Sequence, residues 1–451
     1  MNDYAELAER MTPACREAVD TREIAAVLEA DGITDAVART RYAATDVFDL
    51  AERLCRETPR RPDPAALMPS PWRATPLLHV LRGVLFGLPA LAYLTVADRI
   101  TGLAAAVLLV VSVLLSWATG QGLAYLGHVR LGWGDRADAA RILGGGLIWL
   151  AVPTVALTVA VGLYLQVPIA VTAVASAQVA YVLAATVALV LGREWWLLAA
   201  LAPGVGAAVV GMIIGGSALR SAPFAWCAAG SVLAAIAVAV SSVWGHRPRL
   251  PHFRELLAAA PNAAFGVTVG ALLIFVPAVH TFDPAPDALV SKGAALAALL
   301  PLSVSMGPAE WLLYRYRSAT HRALQRAQTL AAFGRRAGAA LLGAAAGYLA
   351  ALVALSAAAA GIAIVLTGRE LSLRPLATAV VVGAALFLAL LLMSFGIRGP
   401  VVAACLLALA ADAVLLRTAP PEQIQAVTAA GLLIVLLVYA LAALRRAQLH
   451  H

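Results

Sequence analysis

Two carboxylic acids within long apolar runs are the residues best placed to do chemistry in this chain. Glu310 and Asp412 lie among apolar neighbours, where an isolated charge is costly and is usually kept for a function. Tyr314 and Arg317 follow Glu310 at i+4 and i+7, on the same face of a helix. Each carboxylate could bind a proton or a sodium ion. Glu310 could instead pair with a nearby arginine, and Asp412 could make a buried polar contact or an ion pair near the end of its segment.

Two arginines near the ends of apolar runs are the candidates for binding an anion. Arg82 and Arg398 carry guanidinium groups that can bind a pyrophosphate through paired hydrogen bonds. Their long side chains could equally reach out to lipid headgroups. The uncharged side chains of Gln121, Tyr125 and Asn262 could bind the hydroxyl groups of a sugar, or could form hydrogen bonds between helices.

Sequence patterns of hydrolytic, nucleotide-binding and zinc enzymes are missing from the chain. It contains no Gly-x-x-x-x-Gly-Lys-Ser/Thr phosphate loop, no Gly-x-Ser-x-Gly element and no His-Glu-x-x-His zinc helix. Its four cysteines stand at no metal-ligand or paired spacing. We therefore expect a protein that is not an enzyme, that needs no cofactor or metal ion, and that does not use ATP by itself.

The amino-acid composition excludes a soluble protein. Hydrophobic residues make up 62% of the 451 residues and charged residues 13%, against about 45–50% and about 25% in soluble domains. The mean hydropathy is +0.85, so most of the chain must face lipid or other buried helices. The net charge of +8 would suit a nucleic acid. The basic residues flank apolar segments and form no compact basic face, so we expect no nucleic-acid partner.

Residues 1–75 are predicted to form a small cytoplasmic helical domain that ends in a proline-rich linker. Apolar residues recur there at helical spacing in three stretches. Asp20 or Thr21 is expected to cap the second helix, and Thr34 or Asp35 the third. The domain carries no catalytic constellation, which favours docking of a cytoplasmic partner.

Twelve apolar segments follow, each close to the roughly 20 residues that cross about 30 Å of hydrocarbon. The expected spans are 77–97, 102–126, 140–165, 168–191, 195–219, 223–245, 259–280, 288–313, 336–366, 373–396, 399–416 and 424–444. A polar stretch at 242–262 divides them into two sets of six. The predicted fold is all-α and polytopic, with an N-terminal domain (1–75), a first lobe (76–245) and a second lobe (246–451).

Basic residues are distributed unequally between the two sides of the twelve spans. If the N-terminal domain is cytoplasmic, the inner set is Arg130, Arg136, Arg141, Arg193, Arg247, Arg249, Arg254, Arg315, Arg317, Arg322, Arg326, Arg335, Arg336, Arg398, Arg445 and Arg446, and the outer set is Arg99, Arg220, Lys292, Arg369, Arg374 and Arg417. Cytoplasmic loops are enriched in basic residues, so both termini are predicted to be cytoplasmic. Heavy use of alanine, and of arginine in place of lysine, suggests a GC-rich bacterial genome and hence the bacterial inner membrane.

One feature recurs in both halves of the chain. The second and eighth spans each continue into a basic, partly amphipathic helix, at 120–143 and at 307–336, and Gly122 and Gly307 stand 185 residues apart. The first of these contains Gly-Trp-Gly-Asp (132–135) followed by Arg136 and Ala-Ala-Arg-Ile-Leu. Two related halves of this kind are typical of transporters.

These residues resemble the multidrug/oligosaccharidyl-lipid/polysaccharide exporter superfamily, in which the second helix commonly continues into a Gly-x-Gly-Asp element. A basic helix at 253–257 with Pro261 also matches the opening of the second lobe in that superfamily. The resemblance covers roughly residues 75–446. It implies two six-helix lobes that alternate between inward-open and outward-open states around a central cavity, which helices one, two, seven and eight largely line.

On this resemblance, the leading prediction is a transporter that flips or exports a lipid-linked oligosaccharide or polysaccharide. The first alternative is a proton- or sodium-coupled multidrug exporter. Others are a membrane glycosyltransferase or polymerase and a non-transporting scaffold or polysaccharide-synthesis component. The candidate cavity residues are Arg82, Gln121, Tyr125, Asn262, Glu310, Tyr314 and Arg398, and the candidate ion-coupling residues are Glu310 and Asp412. The expected partners are an amphipathic or lipid-linked glycan substrate and membrane lipids.

Overall fold

The computed structural model describes residues 2–58, 76–83, 85, 102–214, 222–282, 298–327, 329–367 and 372–446. Within these ranges the regular structure is helical and no strand occurs. The prediction of an all-α fold is therefore confirmed for the described part of the chain.

Four short helices form the N-terminal region: α1 (Asn2–Glu17), α2 (Thr21–Ala30), α3 (Asp35–Tyr42) and α4 (Val47–Glu57). They share an apolar core that includes Leu28 and Leu50, both fully buried. Asp20 accepts hydrogen bonds from the backbone of α2 and Thr34 from that of α3, so both predicted caps are found. Burial in this core raises the pKa of Cys55 to about 12, which leaves its thiol protonated and unreactive at neutral pH. The cytoplasmic location of these helices stays a prediction.

The helices that follow are long and mostly apolar. They are α5 (76–83), α6 (Gly102–Gly132), α7 (Arg136–Tyr164), α8 (Ile169–Val190), α9 (Glu194–Ile214), α10 (Ala222–Val243), α11 (Phe253–Phe282), α12 (298–304), α13 (Met306–Arg326), α14 (Leu330–Thr367), α15 (Leu373–Ser394), α16 (Gly399–Leu415) and α17 (Pro421–Ala443). Eight helices in the described ranges are long and apolar enough to cross a membrane, and α16 is a shorter apolar helix. The count of twelve spans is not confirmed, since most of the predicted span 77–97 and the start of the span 288–313 lie outside the described residues.

The start of α11 differs from the prediction, and α7 contains a π-helical turn. The helix that contains the predicted span 259–280 begins earlier, because residues 253–258 are continuous with it in α11. Inside α7, residues Leu147–Ala151 form a π-helical turn just before Pro153. Proline has no backbone N–H to donate, so the regular hydrogen-bond ladder is interrupted here, and π-helical turns occur as single turns inside α-helices.

The described residues divide into two compact units. One contains α1–α4 with residues 313–344 and 439–446, and the other contains most of the membrane helices, in the ranges 76–312 and 345–438. Within the second unit, α6 packs along α11. A Cβ atom at Gly266 of α11 would lie 2.6 Å from the carbonyl oxygen of Trp117 in α6, so only glycine permits this approach. The predicted division into six-helix lobes at residue 245 stays a prediction.

Candidate functional site

Arg82 lies at the centre of a cluster of charged side chains from three helices. Its Nε and Nη2 atoms lie 3.1 and 2.5 Å from one carboxylate oxygen of Glu194, and its Nη1 donates to Glu310. His79, one turn earlier on α5, places its Nδ1 atom 3.4 Å from the other oxygen of Glu310. We call Arg82, Glu194, Glu310 and His79 the acidic cluster.

Apolar packing holds Arg82 and Glu194 in position. Leu81 and Leu85, which flank Arg82, belong to one buried cluster with Tyr181 of α8 and Leu197 of α9. The hydroxyl group of Tyr181 donates to the carbonyl oxygen of Leu85 over 2.9 Å. Glu194 begins α9 one turn before Leu197, so the same contacts bring its carboxylate to the guanidinium group of Arg82.

Two glycines allow Glu310 to reach the cluster from the other half of the chain. A Cβ atom at Gly83 would lie 2.5 Å from the carbonyl oxygen of Val304, and one at Gly307 would collide with the backbone of His79. The two backbones therefore touch where α5 meets the start of α13. Glu310 follows Gly307 by three residues and is carried to Arg82 by this crossing.

The acidic cluster carries an excess of negative charge. Two carboxylates share the single guanidinium group, and Glu194 is only 6% exposed. The sequence-based alternative that Glu310 pairs with an arginine is confirmed, and the arginine is Arg82.

A second group of predicted residues meets where α6, α11 and the start of α16 approach each other. The guanidinium carbon of Arg398 lies 4.5 Å from the ring centre of Tyr125, over the ring face. Gln121 of α6 lies against Gly266 of α11. Asn262, one turn before that glycine, has a buried side-chain nitrogen with no hydrogen-bond partner among the described residues. The arrangement offers a cation and an amide donor to an oxygen-rich ligand.

Asp412 is fully buried in α16. The hydroxyl group of Thr428 in α17 donates to its Oδ1 atom, while its Oδ2 atom has no hydrogen-bond partner in the described part of the chain. Gln425, one turn before Thr428, is also buried and donates to the backbone of Leu272 in α11. Asp412 is thus a buried carboxyl group that accepts a hydrogen bond at Oδ1, while its Oδ2 atom is free, among the described residues, to bind a proton or a cation.

No protein-family model matches the chain, and no curated protein does. Solved structures do match. A MATE in complex with Br-NRF has a TM-score of 0.53 at 12% identity and covers 83% of this chain and 98% of its own. A MATE in complex with MaL6 has a TM-score of 0.52 at 14% identity and covers 84% and 98%. Both are structures of MATE proteins. The chain has the MATE fold.

The MATE fold is the fold that the resemblance to the exporter superfamily predicts for this chain. The identities of 12% and 14% establish the fold alone. Of the predicted cavity residues, the structure brings Arg82 to Glu310 and Arg398 to Tyr125. Tyr314 lies one turn after Glu310 on α13. Whether any of these residues binds a ligand stays a prediction.

The sequence analysis missed a further charged cluster near the polar stretch between the halves. Arg130 binds Asp138 and Glu255, and Arg249 binds the same two carboxylates at 2.8 and 3.0 Å. We call these four residues the charge ring. The partners lie up to 125 residues apart in the chain, and their spacing contains no periodic signal. The sequence analysis also missed Glu194, whose only signal is a carboxylate at the start of an apolar helix.

Proposed function

We propose that this protein exports amphipathic solutes by alternating access, and that a proton or sodium ion bound at Asp412 drives the export. The MATE fold supports a membrane transporter, and it supports the multidrug alternative better than the flipping of lipid-linked glycans. The observation that carries the ion coupling is the buried carboxyl group of Asp412 with its unpartnered oxygen.

The physical argument starts from the cost of a buried charge. An ionised carboxylate away from water costs several kcal/mol unless a cation or a proton neutralises it. No arginine or lysine pairs with Asp412 within the described residues. A proton or a sodium ion is therefore the natural partner. Its arrival and departure change the electrostatic energy of α16 and α17, which are the helices that hold it.

The acidic cluster has a mechanical role in this proposal. Arg82 and Glu194 belong to the first half of the chain and Glu310 to the second, so the ion pair between Arg82 and Glu310 holds one end of the central cavity closed. Opening that end separates Arg82 from Glu310. Glu194 keeps the guanidinium group paired in the open state, which lowers the cost of the separation. The protein would lie in the bacterial inner membrane, with its N-terminal helices docking a cytoplasmic partner.

The test is gradient-driven transport by the purified protein in proteoliposomes. Efflux of a fluorescent amphipathic cation is followed under an imposed proton gradient and, separately, under a sodium gradient. We expect the wild type to respond to one of the two gradients and Asp412→Asn to lose at least about nine-tenths of the driven rate. The variant keeps its affinity for the dye, because Asp412 does not contact the cargo in this proposal.

Asp135→Asn is the matched control. It removes a carboxylate that caps α7, and asparagine is an equally good capping residue. Driven efflux should survive in this control. Equal rates in wild type and Asp412→Asn would contradict the ion coupling, and an absence of dye transport under either gradient would contradict the multidrug function.

Flipping of a lipid-linked glycan is a second candidate, and Arg398 is the observation in its favour. Its Nε atom is buried without a hydrogen-bond partner among the described residues, and the side chain forms no ion pair there, so it can receive a pyrophosphate. Arg82, the other predicted anion site, is occupied by two carboxylates. This candidate predicts that cells without the protein accumulate isoprenoid-linked oligosaccharide and lose surface polysaccharide. Unchanged amounts of isoprenoid-linked oligosaccharide and of surface polysaccharide would contradict the flipping of a lipid-linked glycan.

A further inference from the structure

The nine residues between α10 and α11 form a polar loop at a membrane boundary. Both helices are apolar candidate spans, so a loop of this length between them must lie close to the lipid headgroups. Its sequence, Trp-Gly-His-Arg-Pro-Arg-Leu-Pro-His (244–252), contains two arginines and two histidines among apolar residues. Nothing in the transport proposal uses this loop.

The loop is anchored firmly to the start of α7. The backbone N–H of Arg249 donates to the carbonyl oxygen of Arg141 over 3.0 Å. A Cβ atom at Gly145 would collide with the backbone of Arg249, so glycine is required at this contact. The charge ring ties the side chain of Arg249 to Asp138 and Glu255. The loop therefore has one defined conformation against α7.

A cavity of about 590 Å³ lies between the loop and α7. It is open on one side and is lined by Arg141 and by residues 245–250. We call it the linker pocket. Its lining includes the basic residues Arg141, Arg247 and Arg249.

The linker pocket carries a net positive charge once the ion pairs of the charge ring are counted. The two carboxylates of the charge ring neutralise Arg130 and Arg249. Arg141 and Arg247 are both exposed and form no ion pair within the described residues. Two guanidinium groups without an ion-pair partner in the described residues thus line one cavity, and guanidinium groups favour phosphate through paired hydrogen bonds.

Apolar side chains flank this positive cavity on the same segment. Trp244 is 79% exposed, Leu250 56% and Phe253 72%. Large apolar side chains at a membrane boundary insert among lipid chains, and tryptophan is enriched there. Exposing tryptophan and phenylalanine to water would be costly, so these side chains indicate contact with lipid. The neighbouring arginines indicate that the lipid carries a phosphate group.

We propose that the linker pocket binds the phosphate headgroup of an anionic phospholipid. Arg141 and Arg247 hold the phosphate, and Trp244, Leu250 and Phe253 contact the acyl chains. The bound lipid bridges the loop that joins the two halves to the start of α7. The proposal is independent of the cargo and of the coupling ion.

The test is binding of phosphatidylglycerol to the delipidated full-length protein in detergent, followed by native mass spectrometry. Phosphatidylcholine serves as the neutral reference lipid. Each basic residue near an anionic lipid contributes about fivefold to binding, so Arg141→Gln with Arg247→Gln should weaken the binding of phosphatidylglycerol by about thirtyfold. Binding of phosphatidylcholine should be unchanged. Since neither arginine has an ion-pair partner in the described structure, the double variant should fold normally.

The matched control removes the same charge elsewhere. Arg193 and Arg417 are exposed, form no ion pair among the described residues and lie outside the pocket. Arg193→Gln with Arg417→Gln should bind phosphatidylglycerol like the wild type. Equal weakening in the two double variants would overturn the proposal, because it would show attraction by net charge alone. Displacement of the lipid by equimolar glycerol 3-phosphate would also overturn it, since the pocket would then serve a soluble phosphate.

Discussion

The side chain of Arg82 forms two ion pairs, one within its own half of the chain and one with the other half. The first is with Glu194 and the second with Glu310. Burying two carboxylates around one cation is tolerable only while the cation is present, because an unpaired buried charge costs more than a buried pair gains. The stability of the second compact unit should therefore depend on Arg82 more than on either carboxylate.

Arg82→Gln should destabilise the protein by up to about 3 kcal/mol, since removal of one partner of a buried ion pair typically costs this much or more and Arg82 is partly exposed. Glu194→Gln in the same chain should recover part of the loss, because it removes one of the two stranded charges. Thermal unfolding in detergent measures both effects.

The control for this prediction is Arg56→Gln, which breaks the exposed ion pair with Glu52 and should change the unfolding temperature little. If Glu194→Gln lowers the stability of the Arg82→Gln protein further, the charge balance of the acidic cluster has been assigned wrongly.

At the scale of elements, the contact between α5 and the start of α13 decides whether the acidic cluster can form. Gly83 and Gly307 face each other with backbone atoms in contact. Small residues let membrane helices approach closely, and here the approach carries a carboxylate to an arginine. A side chain at either glycine would push the helices apart and would lengthen the pair between Arg82 and Glu310.

Gly307→Ala should destabilise the protein by about 1–3 kcal/mol, the usual cost of overpacking. The matched control is Gly343→Ala in α14, where a Cβ atom meets nothing within 4 Å. This change should be neutral or stabilising, because alanine favours a helix by about 1 kcal/mol over glycine. Denaturation in detergent distinguishes the two variants, and equal effects would show that α5 and α13 are not in contact.

At the scale of the whole molecule, the sequence predicts that both termini are cytoplasmic, and labelling of exposed positions can test this orientation. Arg193 and Arg417 are both exposed in the structure and are expected on opposite sides of the membrane. In a chain with its native cysteines replaced, Arg417→Cys should react with an impermeant maleimide in intact cells. Arg193→Cys should react only after the membrane is opened. The reverse pattern would place both termini outside.

The membrane character, the helical class and the resemblance to the exporter superfamily could all be predicted from the sequence. Hydropathy is a property of each residue, and helical periodicity extends over only a few turns. Both signals can therefore be recognised in a single segment, without knowledge of the segments that pack against it. The caps at Asp20 and Thr34 were predictable for the same reason, since a cap bonds its own first turn. The Gly-Trp-Gly-Asp element pointed to the fold that the solved MATE structures share.

Only the tertiary structure decided which charges meet. Arg82 lies 112 residues from Glu194 and 228 from Glu310, and the sequence offered nearer arginines, such as Arg317, for the second pair. The charge ring and the linker pocket likewise join α6, α7 and the loop before α11. An ion pair depends on distances of a few ångströms, and those distances are set by backbone crossings at glycines such as Gly307 and Gly145. Such a crossing requires both helices, so neither segment of sequence specifies it alone.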